Sequence, residues 1–558
     1  MKQLSYGIVM GVMGVMLAKA FAADVVIVGN QDARVANLAM KGDRAAIVAL
    51  MKQKVDVNIA QGDGMTALHW AAMNGDPELA KLLIGAGAGL TATTRVEALT
   101  PLALAAQKGH APVIAVLLKA GANPNIANDL GSTPLMLAAA SGDVDSVKAL
   151  LAAGADVYAR EKMRGQTALM FAAGFNRAAV IRVLAAKNAD LNASSALAKV
   201  ERRMVDEDGN PLPAARAGQT AQRAPRGAVA EFMGGWTALH FAARDGFTDS
   251  VQALLESGAD VNRLGDGDHT SALIIAIENG HFDLAKQLVE RGADVSKAND
   301  NGMSPVYAVL DCQWAPVAWF PVPDTRKEKT SYLELLTLLA DHKADFNVPL
   351  KTGIWYRPAD HNQAWISLAG STPFWRAAQA NDLPAMKFVL AHGGDSKAVS
   401  LQKDTALHVA AGVGWAGNFS TTAPEPVLPT VKYLVEEIGV DVNAQDGAGY
   451  TAVMGAAYRG QNDVVEYLVN KGAKLDFRTA RGWSVTDMAN GPALRTSVPL
   501  SHPDTIALLK KVGAPPLLKV EGEEILGVIK GKAPVLKHEE DASKSPDSNG
   551  PIKEKKQQ

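Results

Sequence analysis

The sequence predicts an all-α repeat solenoid, a stack of helix pairs joined by β-hairpin fingers, and three observations carry that prediction. The first is a returning segment. Thr66-Ala-Leu-His-Trp-Ala-Ala-Met-Asn-Gly75 reappears as Thr100-Pro-Leu, Thr133-Pro-Leu and Thr167-Ala-Leu, at steps of 34, 33 and 34 residues. It continues as Thr237-Ala-Leu-His, Ser271-Ala-Leu, Ser304-Pro-Val, Thr372-Pro-Phe, Thr405-Ala-Leu-His, Thr451-Ala-Val and, weakly, Ser484-Val-Thr. The second is a closing signature, seen at Gly154-Ala-Asp-Val, Gly258-Ala-Asp-Val-Asn262, Gly292-Ala-Asp-Val and Asp441-Val-Asn443. The third is size: 558 residues exceed the roughly 250–300 at which one core stops growing. With a degenerate opening copy over 33–60, about twelve units are expected.

Each part of a unit has a physical reason. The leading Thr can accept a backbone N–H and cap the first helix. Pro101, Pro134, Pro305 and Pro373 follow at the first helical position, where a missing N–H costs nothing. Small pairs such as Ala71-Ala72, Ala105-Ala106 and Ala242-Ala243 let helices approach closely, which suits a chain with only 6% aromatic residues. Gly75, Gly109, Gly142, Gly246 and Gly280 end the first helix. The second helix carries apolar residues at helical spacing, as in Val113, Val116 and Leu117 or Val147, Leu150 and Leu151. Asp63-Gly64, Asn301-Gly302 and Asp446-Gly447 suit tight hairpins. A single unit cannot bury its own apolar face, so stability must come from stacking.

These motifs resemble the ankyrin repeat, whose period is ~33 residues and whose signature is T-P-L-H-x-A. The resemblance covers residues 33–514. It implies a partner held along the concave face, touched by hairpin tips and by the two variable residues after Ala-Ala. On this chain those residues are Met73-Asn74, Gln107-Lys108, Arg244-Asp245, Glu278-Asn279 and Tyr458-Arg459. It also implies that the recurring His69, His240 and His408 are structural hydrogen-bonders, and that Trp375, standing where the motif has His, belongs to the framework.

Departures from the period mark insertions. Residues 33–194 form a regular block, followed by a finger insertion over 195–235 that reads as a mobile loop rich in Ala, Arg and Pro. Asp206, Asp208 and Asn210 alternate there somewhat like calcium ligands, but the closing Glu of that motif is absent. Repeats resume over 236–514, interrupted at 313–331, 348–370 and 412–430. Five of nine tryptophans fall between 314 and 375. Trp314, Trp319, Phe320, Trp355, Tyr356 and Trp365 read either as a mini-core pinning the long loops or as a recognition patch. Residues 515–558 are expected to be largely disordered, with a small strand pair possible within 519–537.

The N-terminus reads as a signal peptide over 1–22: Lys2, an apolar run from Gly7 to Ala18, then small residues suited to a cut after Ala22. Ankyrin proteins with such leaders look bacterial, so a periplasmic or secreted location is expected. No transmembrane anchor is expected. The one thiol, Cys312, forms no internal disulfide. Asn192 and Asn418 lie in Asn-x-Ser sequons, relevant only to a eukaryotic secretory route.

A formal charge of −2 argues against nucleic acid, which rewards a basic surplus. Metal, phosphate and hydrolase motifs are missing, so no catalytic residue, metal or cofactor is expected. The expected function is a monomeric scaffold for a protein or peptide. Two alternatives stand beside it. One is a glycan or small-ligand binder using the Trp-rich loops, which requires exposed Trp rings. The other is an enzyme built on Cys312, which requires that thiol to be exposed beside a histidine.

Overall fold

The computed structural model describes residues 33–199, 232–315, 323–351, 366, 368–415, 420–492 and 500–518, together with two short strands at 524–525 and 528–529. Among these residues there are 24 helices and two strand pairs, an all-α repeat architecture. Two compact units divide the chain, parting within the repeat that starts at Thr237.

In the first unit the leading helices Ala67–Met73, Pro101–Lys108, Pro134–Ser141 and Ala168–Gly174 pack each on the next. The following helices Pro77–Gly85, Ala111–Lys119, Val144–Ala152 and Ala178–Ala185 form a second layer beside them. The caps agree with the sequence. Thr66, Thr100, Thr133 and Thr167 each accept the backbone N–H three residues on. The paired alanines are buried at every step, from Ala71-Ala72 to Ala172-Ala173.

The second unit repeats this plan. Its first layer is Ala272–Glu278, Pro305–Gln313, Pro373–Gln379, Ala406–Ala411, Ala452–Arg459 and Val485–Ala489. Thr451 is the exception among the caps: its Oγ1 is buried with no hydrogen-bond partner. Fingers join chiefly by backbone bonds, with side-chain contacts added at some junctions, as between His269 Nδ1 and Asp300 Oδ2 at 2.9 Å. Asp300 N–H donates to Asp268 O at 2.9 Å, Lys351 to Asn301 at 2.8 Å, and Ala480 to Ala448 at 2.8 Å. In the finger at 446–450, Gly449 rather than Gly447 takes the left-handed conformation.

Two side-chain devices tie neighbours together. The closing Asn of a unit grips the next unit's turn: Asn262 Nδ2 donates to Gly292 O at 3.0 Å while its Oδ1 accepts from Asp294 N at 2.7 Å. Asn58, Asn125, Asn347 and Asn443 make the same two bonds to their successors. The second device sits at the start of the second helix. His110, His281 and His502 reach back with Nε2 to the carbonyls of Met73, Arg244 and Tyr458 at 3.1–3.2 Å. Arg177 does the same to Ala140 at 3.0 Å. Gly75, Gly246 and Gly460 lie under those imidazoles, where a Cβ would come within 2.5–2.8 Å of the ring.

The insertion over 195–235 begins and ends in paired strands: Leu197–Lys199 runs antiparallel to Phe232–Gly234. Its middle lies outside the described residues, as do Asp206, Asp208 and Asn210. At the far end Thr486 Oγ1 donates to Pro515 O and Leu518 N to Asp487, so residues 515–518 fold back on the last repeat. Glu524–Ile525 pairs with Val528–Ile529.

The core of the second unit holds a carboxyl pair. Asp404 is wholly buried; Oδ2 accepts from Ser400 Oγ at 2.6 Å and Oδ1 has no donor. Asp446 lies beside it, accepting the amides of Ala448 and Tyr450. Burial, and then the neighbouring Asp446 charge, raise the Asp404 carboxyl to about 7. His408 faces Asp446 and is kept neutral by burial.

Three outcomes follow from these contacts. Asn262→Ala loses two inter-unit bonds and is expected to cost about 1–2 kcal/mol, read by urea unfolding. Lys343, at φ 64°, occupies the turn position held by Gly292 and Gly393 in the flanking units. Lys343→Gly relieves that strain and is expected to stabilise by about 0.5–1 kcal/mol. The raised Asp404 carboxyl gives stability that is full below about pH 4 and is lost as pH rises through about 7. The thermal midpoints of wild type and Asp404→Asn should therefore coincide near pH 4, with the variant higher at pH 8. Equal midpoints at both pH values would contradict this.

Candidate partner-binding surface

The first helices bury nearly every side chain except those at their C-terminal ends. In the first unit Asn74, Gln107 and Lys108 are exposed and Met73 is half-buried. Asn74 is steadied by an Nδ2 bond to Ala39 O at 3.1 Å. Phe175, two repeats beyond Lys108 in the same register, is 46% exposed. Sequence reasoning passed over it because that unit reads Ala-Ala-Gly-Phe, although the position itself would have pointed there. The finger tips add exposed Val96, Leu130 and Met163.

In the second unit the expected residues separate. Asn279 is exposed, and its Nδ2 is held by Ile275 O at 2.8 Å. Arg244 and Asp245 are half-buried and satisfy each other at 2.9 and 2.7 Å. Two assignments need correction. Glu278 and Tyr458 are only 8% and 5% exposed, because the first helices of adjacent units pack too tightly at that height to leave the side chains in solvent. Arg459 remains half-buried with its guanidinium over the Trp415 ring at 5.2 Å.

The histidines act as framework. His69 Nδ1 lies 2.8 Å from Thr66 Oγ1 and Nε2 lies 3.0 Å from Leu99 O, and burial lowers its pKa. His408 repeats the pattern with Thr405, Ala444 and Tyr450. Trp375 substitutes for this histidine chemically: it is buried, and Nε1 donates to Asp404 O at 3.0 Å.

Of the aromatic-loop residues, Trp319, Phe320, Trp355, Tyr356 and Trp365 lie outside the described residues. Trp314 is within them and is a pin. Its Nε1 donates to Asp382 Oδ2 at 2.8 Å, and its ring meets Tyr332 edge-on at 6.2 Å. Burial and the Asp382 carboxylate push the Tyr332 phenol above its ordinary range. Beneath it a buried ion pair joins Arg376 Nε to Asp311 Oδ1 at 2.9 Å, and Arg376 Nη2 donates to Trp314 O. The third insertion closes on the first: Thr421 Oγ1 donates to Ala315 O at 2.8 Å, and Ala423 N to Ala380 O. Gly414, at φ 84°, abuts Ile366 of the second insertion, where any Cβ would overlap it. Thus the insertions at 313–331, 348–370 and 412–430 meet, and the half-buried Trp314 has its N–H committed to Asp382.

Cys312 is 2% exposed within the helix Pro305–Gln313, so the exposed thiol that the enzyme alternative requires is not found. Among the described residues no cluster of three His, Cys, Asp or Glu could hold a metal, and no helix is long and apolar enough to cross a membrane.

Removing one member of a buried pair strands the other. Arg376→Met should therefore lower stability by about 3–5 kcal/mol. Trp314→Phe, which loses one hydrogen bond but keeps the ring, should cost about 1–2 kcal/mol. Both are read by circular-dichroism melting, and losses below about 0.5 kcal/mol for both would mean that the loops are not pinned here.

A family model for ankyrin repeats in three copies matches residues 35–128, 116–195, 216–299 and 422–514, more than half of the chain. The chain is 32% identical over 198 residues to an E3 ubiquitin-protein ligase of Arabidopsis thaliana, covering 34% of this chain and 36% of that protein. It is 32% identical over 90 residues to a palmitoyltransferase of Drosophila melanogaster, covering 16% and 14%. It is 42% identical over 62 residues to an ankyrin repeat and SAM domain-containing protein of Rattus norvegicus, covering 11% and 7%. The chain spans about a third of the first relative's length and less of the others. Repeats of this kind are generally protein-interaction scaffolds, and with more than half its length matched to them the chain belongs to the ankyrin-repeat family.

Proposed function

We propose that this chain is an exported, monomeric ankyrin scaffold that holds a protein or peptide along the concave side of its repeats. One observation carries the reading: the first helices are largely buried, and full exposure is concentrated at their C-terminal ends, where Asn74, Gln107, Lys108, Phe175 and Asn279 vary in chemistry from step to step. A fixed frame with a changeable outer row suits recognition of an irregular polypeptide surface better than one repeated ligand. The aromatic loops at 313–331 and 348–370 extend the proposed contact area through Trp319, Phe320, Trp355, Tyr356 and Trp365. From its relatives the proposal takes the repeat alone, not ubiquitin ligation or palmitoyl transfer. No catalytic step is assigned.

Export rests on the leader-like residues 1–22. Expressed in a bacterial host, the chain is expected to lose them; intact mass and N-terminal sequencing should place the new end at Ala23, and an uncut chain would remove the proposal. Binding is tested by affinity capture from periplasmic extract, followed by a measured Kd for the captured protein. Gln107→Ala/Lys108→Ala/Phe175→Ala should weaken that Kd at least tenfold, since a few side chains carry most interface energy. Trp319→Ala/Trp355→Ala tests the loops in the same way. A Kd unmoved by either variant would remove the assigned surface, and no captured protein would remove the scaffold reading.

A further inference from the structure

Three arginines on first helices of the second unit meet different fates. Arg244 is answered by Asp245 at 2.7 Å, and Arg376 by Asp311 at 2.9 Å. Arg459 is answered by no carboxylate among the described residues. Its Cζ lies 5.2 Å from the Trp415 ring centre. With the Asn381 amide oriented so that both its ends are satisfied, Arg459 Nη1 donates at 3.1 Å to Asn381 Oδ1 and the amide nitrogen donates to Ala410 O at 3.2 Å. Both contacts are neutral. They fix the guanidinium in place and leave Nε–H and Nη2–H uncommitted.

A desolvated cation without a counter-charge is costly, and buried charges are ordinarily paired, so an anion arriving from outside would relieve the cost here. Burial alone lowers this guanidinium to about 10, so it is fully charged at neutral pH. The aromatic platform and the Asn381 brace restrict its rotation, which lowers the ordering cost of binding. The remaining N–H edge has the fork geometry that matches a carboxylate. Nucleic acid is the weaker fit, because one guanidinium on a chain of formal charge −2 gives little counterion release.

We propose that Arg459, stacked on Trp415 and braced by Asn381, is a receptor for a carboxylate of a polypeptide partner. The inference rests on the protein-binding reading and adds the chemistry of one contact. The carboxylate has two sources, an Asp or Glu side chain or a chain terminus.

The test uses the full chain on an array of random twelve-residue peptides, each made as the free acid and as the C-terminal amide. Bound peptides should be enriched in Asp and Glu if side chains are the source, or bind only as free acids if the terminus is. Arg459→Gln should weaken the bound class at least tenfold and flatten its salt dependence, and Arg459→Lys should weaken it less. The thermal midpoint of Arg459→Gln should not fall, since an unneutralised charge is removed. If that variant fails to fold, Trp415→Leu carries the test and should weaken binding several-fold. Acidic peptides held equally by wild type and variants would overturn the inference while leaving the scaffold reading intact. So would bound peptides with no carboxylate preference, or Arg459-dependent capture of an oligonucleotide in place of peptides. An array that retains nothing on the wild-type chain overturns both.

Discussion

The two hydrogen bonds that each closing asparagine makes to the next turn are the constraint on which the stack depends. Apolar burial between helices is non-directional and would tolerate sliding or rotation of one unit on another. The Asn262 grip on Gly292 and Asp294 does not, because one amide must satisfy a carbonyl and an N–H two residues apart. Its recurrence at Asn58, Asn125, Asn347 and Asn443 sets the same rise and rotation at each junction where it is described. With registration settled at the turns, the helices can pack through small apolar residues, and some ends of the first helices, such as Gln107 and Lys108, stay exposed.

The back-reaching histidines act at the opposite end of the helix pair. His110, His281 and His502 satisfy a helix-terminal carbonyl that would otherwise need water or a local cap. The glycine below each imidazole is therefore specified twice, by its left-handed conformation and by the ring above it. Where the second helix starts with Asp43, Asp76, Asp143 or Asp382 instead, the side chain caps its own helix. The same position thus serves the preceding repeat when it holds His, and its own helix when it holds Asp, although Asp76 and Asp382 also bind Arg44 and Trp314 of the preceding repeat.

Much of this fold was legible because local chemistry repeats. Thr caps, Ala pairs and Gly stops each have a short-range reason, and eleven copies in phase make the period plain. The partners of the closing Asn and the back-reaching His were not legible, since each bond spans about 30 residues or more to a backbone atom, which carries no residue signature. Burial at the ends of the first helices was also hidden. Glu278 and Tyr458 occupy positions equivalent to exposed Gln107, and only the fit of adjacent helices distinguishes them. The Trp-rich insertions gave two readings because aromatic side chains serve cores and interfaces alike; the Asp382 acceptor decides the matter for Trp314 alone.

Thr421 and Ala315 stand 106 positions apart, with the repeat that begins at Thr372 between their own. The hydrogen bonds of the closing asparagines and the back-reaching histidines join neighbouring repeats, the condition under which repeats form quickly and propagate in either direction. A bond that skips a unit breaks that simplicity. It must wait until three successive repeats have taken their places, because the closure entropy of so long a loop is repaid only when the intervening chain is ordered. The region around Ala315 and Thr421 is thereby a late, non-local step in an otherwise zipper-like assembly, and pulse-labelled hydrogen exchange would register it as the last protection gained in the second unit.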